Sequence, residues 1–169
     1  MEEPEDKYQR NWVQKTLLRF TSSKIGARIA SRILHPLDKA ILKASNNRSS
    51  LTSLLSGIPV IVLTSIGAKS GKFRTVPLLG VIKGEDVFLI ASNWGQARHP
   101  SWYYNLRANP EAQLSIGKET GQYIAQDATD AEREAYWDEA VRMYAGYAEY
   151  KKRIVTREIP MFVLSPIKK

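Results

Sequence analysis

The chain has no cysteine and only two histidines, His35 and His99, among 169 residues. Without cysteine there are no disulfides, no thiolate nucleophile and no cysteine-ligated metal. Two histidines, with no acid cluster at metal-ligand spacing, leave little scope for a histidine metal centre. Long apolar runs are also missing. None approaches the ~20 residues that cross a bilayer, and the acidic start (Glu2, Glu3, Glu5, Asp6) is not followed by the apolar core of a signal peptide. A cytoplasmic location is the expectation. Ordinary catalytic signatures are absent too: there is no Gly-x-Ser-x-Gly elbow and no Gly-x-Gly-x-x-Gly loop. An enzyme of this composition would need a bound cofactor to supply its chemistry.

Apolar residues make up 43% of the chain, with four Trp and eight Tyr, which suits a globular protein with a real core. The net charge of +8 is unevenly placed: residues 7–48 hold ten Lys or Arg against one acid, Asp38. Residues 1–48 therefore read as a basic, amphipathic helical appendage and residues 49–169 as a nearly balanced body. Within 8–20, Trp12, Val13, Thr16, Leu17 and Phe20 recur at helical spacing. Further on, Lys24, Arg28 and Arg32 run beside Ile25, Ile29 and Ile33. Pro36 is expected to break or restart that helix, followed by a third piece with Leu37, Ala40, Ile41 and Ala44 and a turn at Asn46–Ser50. Residues 8–45 could lie on an anionic membrane surface or cover the body with their basic face in solvent. Nucleic acid is disfavoured, because no recognised binding motif accompanies the charge.

After Gly57 the pattern turns to β. Ile58–Ser65, Thr75–Lys83, Val87–Ser92, Ala112–Ile116, Gln122–Ala128 and Ile159–Ser165 read as six strands, joined mostly by hairpins such as Lys83-Gly84-Glu85-Asp86. Helices are expected at Ser101–Ala108, stopped by Asn109-Pro110, and from a capping box at Thr129–Glu132 to about Met143. Gly146 interrupts that helix, and Ala148–Val155 resumes it. Hairpin-linked strands with inserted helices argue for an antiparallel barrel of α+β class, not a βαβ sheet.

One stretch stands out. Ser65-Ile-Gly-Ala-Lys-Ser-Gly-Lys-Phe-Arg-Thr-Val-Pro77 sets Lys69, Lys72 and Arg74 around two glycines, either an anion cradle or a solvated basic turn. It is not a Walker loop, since three residues separate Gly67 from Gly71 and Phe73 replaces the hydroxyl. Ser92-Asn93-Trp94-Gly95 places small and polar groups at a strand end. His99 to Leu106 carries Trp102, Tyr103 and Tyr104, which cannot all face one core on one helix; His99 itself reads as a polar contact at the helix start. Tyr144, Tyr147 and Tyr150, three apart, form one helical face that suits either a core stripe or a ligand wall.

Together these motifs resemble the deazaflavin-dependent nitroreductase family, which uses coenzyme F420. The resemblance runs from about Pro59 to Pro166, through Gly67–Pro77, Ala91–Gly95, His99–Pro110, Tyr144–Tyr150 and Arg157–Pro166. It departs at Ala68, where many members carry Arg, at Trp94 for Gly, at Tyr104 for His and at Gly146 for Pro. It implies a split β-barrel of the flavin-reductase type and hydride transfer from reduced F420 to a quinone, nitro compound or similar electron-poor acceptor. It also implies that Ala68, Lys69 and Ser70 meet the cofactor's anionic tail, and that Arg74, Thr75, Val76, Pro77, Leu78 and Leu79 run beside it. Ile90, Ala91, Ser92 and Asn93 would border the ring, with Ser101, Trp102, Tyr103, Tyr104 and Asn105 completing the pocket. Tyr147 would face ring and acceptor, with its hydroxyl or that of Ser92 orienting the acceptor or delivering a proton. Tyr144 and Tyr150 would shape the acceptor side. The alternatives are an FMN-binding reductase on the same barrel and a non-catalytic, cofactor-binding membrane-surface module. No metal is implied.

Overall fold

The computed structural model describes residues 11–44, 58 and 60–168, with the side chains of 34–36, 39 and 42–44 left aside. The acidic start and the Asn46–Ser50 turn lie outside the described residues. The elements in chain order are α1 (Trp12–Ser22), α2 (Lys24–Ala44), β1 (Val60–Ile66), β2 (Phe73–Lys83), β3 (Asp86–Ile90), α3 (Ser101–Ala108), β4 (Glu111–Ile116), β5 (Glu119–Asp127), α4 (Asp130–Met143), α5 (Gly146–Arg153) and β6 (Met161–Pro166).

The six strands close into an antiparallel barrel in the order β1-β2-β3-β6-β5-β4. Period-two alternation divides its strands between two cores. On β3, Val87 and Leu89 point to the barrel interior, which they share with Ile61, Leu63, Leu114, Phe162 and Leu164. Phe88 and Ile90 face outward into a second core, with Val163 and Met161 of β6 and with Met143, Tyr144, Tyr147 and Tyr150 from the helices. β3 and β6 are thus buried on both faces, as their continuous apolar sequences require. Each large side chain buried in full contributes about 1.5–3 kcal/mol, so this seam fixes where the helical layer sits.

The helix ends follow local chemistry. Thr129 caps α4: its Oγ1 accepts from the Glu132 amide at 3.3 Å, and Glu132 Oε2 accepts from the Thr129 amide at 2.8 Å. α4 stops at Tyr144, which turns extended (φ −143°, ψ 102°). α5 starts at Gly146, where a Cβ would stand 2.2 Å from the Tyr144 ring and force it aside. The chain folds back over itself there, and only a residue without a side chain leaves the ring room. α1 opens on an Asn11–Gln14 capping box. One expectation is corrected: Pro36 does not break α2, which runs through it from Lys24 to Ala44. Proline removes one donor from the helical ladder, and here the turns on both sides continue. Among the described residues no helix is long and apolar enough to cross a membrane.

Candidate cofactor site

The barrel is split along one edge. Residues Phe73–Leu79 of β2 pair with β1, but only Gly80–Lys83 pair with β3. Among the described residues the outer edge from 73 to 79 therefore has no neighbouring strand, which also explains how Pro77, with no amide hydrogen to donate, sits within a strand. A cavity of about 1330 Å³ opens against this edge and is lined by Arg74, Thr75, Val76, Pro77, Leu78 and Leu79. Sites for one drug-sized ligand are ~300–1,000 Å³, so this one has room for a large ligand or for two molecules together.

The cationic stretch forms the second wall. Gly67 is the pivot: its amide donates to Lys72 O (2.9 Å), while its carbonyl accepts from Ser70 (3.1 Å) and Gly71 (2.8 Å). Asn105 of α3 locks the loop to the barrel, accepting from the Ala68 amide at 3.0 Å and donating to the buried Ser65 hydroxyl at 3.3 Å. Arg74 Nη2 donates to Ser70 Oγ at 3.3 Å. Among the described residues no carboxylate pairs with Lys69, Lys72 or Arg74. Lys69 makes no hydrogen bond there either, through backbone or side chain. Charge held this way, on a braced backbone, is available to an anion.

The third wall follows β3. Asn93, Trp94 and Gly95 all take positive φ (50°, 57° and 73°), a conformation that costs about 1–2 kcal/mol for a residue with a side chain. Gly95 fits because a Cβ there would meet the Tyr150 ring at 2.9 Å. Asn93 Nδ2 holds the loop by donating to Arg98 O at 2.8 Å. Beyond it, the His99 ring stacks on Tyr103 at 4.3 Å. Burial, and then the Arg157 charge, lower the His99 pKa from its ordinary value.

The fourth wall is aromatic and neutral. Tyr147 stands edge-on to Tyr144 (5.4 Å) and Tyr150 (6.4 Å), and its hydroxyl reaches Leu79 O on the open β2 edge at 3.4 Å, a weak bond. Tyr144 and Tyr150 hydroxyls lie 2.7 Å apart, and Thr21 of α1 accepts from Tyr144 at its hydroxyl and from Tyr150 at its carbonyl, each at 3.2 Å. Arg153 Nη2 adds a bond to Ser22 O at 2.5 Å. Burial raises the pKa of both Tyr147 and Tyr150 well above the ordinary phenol value, with the neighbouring Tyr144 adding to it. These hydroxyls stay protonated at neutral pH.

Of the residues singled out in the sequence, Ala68, Lys69, Ser70, Ile90, Ser92, Asn93, Ser101, Trp102, Tyr104, Asn105, Tyr144, Tyr147 and Tyr150 all line this cavity together with the β2 edge. Two do not. Ala91 is fully buried in the barrel interior, and Tyr103 packs against His99 and Phe162 instead. The division of the three aromatics expected on α3 is met: Trp102 is buried, while Tyr104 is 51% exposed at the cavity mouth. Sequence reasoning missed Leu17, Leu18 and Thr21 of α1 and Asp38 of α2, which close one side. Their only signal was helical spacing, which does not say what a face covers. Among the described residues no group of His, Asp and Glu could hold a metal ion.

A closed antiparallel barrel split at β2, with a cationic loop and a tyrosine wall around one large cavity, defines the class: a split-barrel, flavin-reductase-like protein. Within it, the chain belongs to the F420H(2)-dependent quinone reductase family, whose model matches residues 39–166. A relative from Mycobacterium tuberculosis that carries the family's name is 34% identical over 109 residues, 64% of this chain and 91% of its own. An F420H(2)-dependent quinone reductase of the same species is 30% identical over 133 residues, 76% of this chain and 87% of that one. The solved structure of an F420-H2 dependent reductase superposes with a TM-score of 0.59 at 39% identity, over 63% of this chain and 94% of the other.

Proposed function

We propose that this protein transfers a hydride from reduced coenzyme F420 to a quinone, with nitro compounds and similar electron-poor molecules as further acceptors. The observation that carries the reading is the pairing of walls: an unneutralised cationic loop and a neutral tyrosine wall facing one cavity across an open strand edge. The residues fit an anionic cofactor with a flat ring. Lys69 and Arg74 would hold its phosphate and polyglutamate tail, with the Lys69 amide and the Ser70 hydroxyl meeting the phosphoryl oxygens. Ser92 and Asn93 would border the ring, and the side chains along Thr75–Leu79 would form its apolar bed.

When bound, the reduced deazaflavin supplies the hydride. The protein's part is to align donor and acceptor and to exclude water. Tyr147 would act as a hydrogen-bond donor to the acceptor oxygen. Its raised pKa argues against its giving up the proton, because a buried phenolate beside Tyr144 is strongly disfavoured. The proton that completes quinol formation then comes from solvent, directly or relayed through the Ser92 hydroxyl. Tyr144 and Tyr150 would present ring faces to the acceptor, with their hydroxyls engaged with α1. Titration with F420 followed by an acceptor screen tests the reading; protein that is yellow from a host lacking F420 and binds FMN instead would refute it. Tyr147→Phe should lower turnover several-fold while F420 binding holds; unchanged turnover would remove the hydroxyl from the mechanism.

In the same reading residues 1–48 form a membrane-facing appendage and 49–169 the cofactor-binding barrel. Ile25, Ile29, Ile33 and Leu37 form an exposed stripe on α2, Trp12 of α1 is 78% exposed, and Lys15, Arg19, Lys24, Arg28 and Arg32 flank them. An exposed apolar stripe edged by cations suits the inner face of an anionic membrane, and the second core beneath α2 is anchored by Ala27. Vesicles with anionic lipid should bind the full chain and lose it at high salt. Binding that survives replacement of the α2 isoleucines by Ser would rule the stripe out.

A further inference from the structure

Arg157 lies in the connection between α5 and β6, outside the cavity lining, and meets no carboxylate among the described residues. Its guanidinium instead donates to carbonyl oxygens along the third wall: Nη1 to Ala91 O at 3.3 Å, and Nη2 to Ser92 O at 3.0 Å, Gln96 O at 3.0 Å and Arg98 O at 3.3 Å. Nη1 also meets Glu158 O at 3.0 Å and His99 Nδ1 at 3.1 Å. A planar fork of donors suits this fan of acceptors, and a lysine ammonium does not.

The last of these contacts carries a consequence. A guanidinium nitrogen has only hydrogens to offer, so the Nδ1 opposite it presents a lone pair and the neutral imidazole carries its proton on Nε2. The ring is fixed in plane by stacking on Tyr103 at 4.3 Å and in edge by Tyr104 at 6.0 Å. His99 lines the cavity, and among the described residues its Nε2–H has no acceptor. We propose that His99 donates this hydrogen bond to an oxygen of the bound cofactor, and that Arg157 is the positioning residue that sets its tautomer. The proposal rests on the F420 reading above. The charged and titratable groups around the ring are Arg157, Tyr103 and Tyr104. A proton placed on Nδ1 would face the guanidinium donor to donor, so the imidazole stays a neutral donor across the neutral range.

The test is the imidazole nitrogen spectrum of the full chain, with His35→Gln used for assignment. The neutral form of His99 should show the Nε2–H tautomer, and its resonances should move on saturation with oxidised F420. An Nδ1–H tautomer, or resonances that ignore F420, overturns the proposal. His99→Phe keeps the stack on Tyr103 but removes the donor, and should raise the F420 Kd about three- to tenfold. His99→Gln should restore most of the affinity, and an unchanged Kd for His99→Phe overturns the donor role. Arg157→Lys should bring other protonation forms of His99 into the spectrum; a spectrum identical to that of the parent overturns the part given to Arg157. Should Arg157→Lys fail to fold, the parent spectrum and the His99 pair decide alone. If the parent protein binds no F420, the cofactor reading falls and the donor role with it, while the tautomer spectrum still reports on Arg157 and His99.

Discussion

The two sides of the cavity are held in opposite ways. The loop side, Gly67–Lys72 and Ser92–His99, is irregular backbone carrying cations, and it is braced by single polar residues, Asn105 and Arg157. The tyrosine side is helical apart from the turn at Tyr144, neutral and buried, and the Tyr144 and Tyr150 hydroxyls are braced by α1. A loop that meets an anion must keep its charge unspent, so its order has to come from groups other than its cations. A wall that meets a neutral, apolar acceptor can spend its own polar atoms internally. The loop half of the cavity therefore suits a charged tail and the tyrosine half a neutral acceptor.

Four substitutions test that contrast. The largest effect is expected where the two sides touch. Gly95→Ala puts a methyl group at φ +73°, 2.9 Å from the Tyr150 ring, and should cost about 2–4 kcal/mol from strain and overpacking together. Chemical denaturation measures it, and a loss below about 1 kcal/mol would mean that the two sides are not rigidly joined. Asn105→Leu comes next, leaving the Ala68 amide and the buried Ser65 hydroxyl without their partner. It should cost about 1–3 kcal/mol and also weaken F420 binding, whereas an affinity equal to the parent's would show that the loop orders itself.

Tyr150→Phe probes the other side and should cost about 1 kcal/mol at neutral pH. The pH dependence has a definite sign. The folded-state pKa values of Tyr147 and Tyr150 lie above the ordinary 10.0, so their contribution is complete below about pH 10 and is lost as the pH rises beyond it. The gap between parent and Tyr150→Phe should therefore narrow in alkaline denaturation series. A gap that widens would contradict the buried-phenol account. The smallest effect is Lys69→Ala, because Lys69 makes no hydrogen bond or ion pair among the described residues. Stability should not change, while the F420 Kd rises about three- to tenfold and loses part of its salt dependence. A stability loss without a Kd change would show that Lys69 serves the fold.

Most of the barrel was legible because strands buried on one or both faces announce themselves by β-branched runs and turns, and the Thr129 capping box by four residues. The Gly67–Arg74 loop was legible for the same local reason, an unusual density of charge around glycine. What local pattern does not contain are the braces. Tyr150 bonds to Thr21 and Arg157 to Ser92 across long stretches of sequence, and nothing near Arg157 in the chain distinguishes it from a solvated arginine. Pro36 misled for the opposite reason: its local rule is strong, and α2 nonetheless continues through it. Ala91 and Tyr103 sit in matching motifs, but strand alternation turns Ala91 inward, and Tyr103 is taken up by the His99 stack.

The central claim is that the cationic loop and the tyrosine wall hold hydride donor and acceptor in one cavity. Its most direct test is the anaerobic mixing of the purified full chain with reduced F420 and a soluble quinone, following the return of oxidised F420. Oxidation should require the protein, saturate in both reactants and be lowered by Lys69→Ala through F420 and by Tyr147→Phe through turnover. Oxidation no faster than the uncatalysed rate, in a preparation that binds FMN and transfers hydride from that cofactor instead, would contradict it.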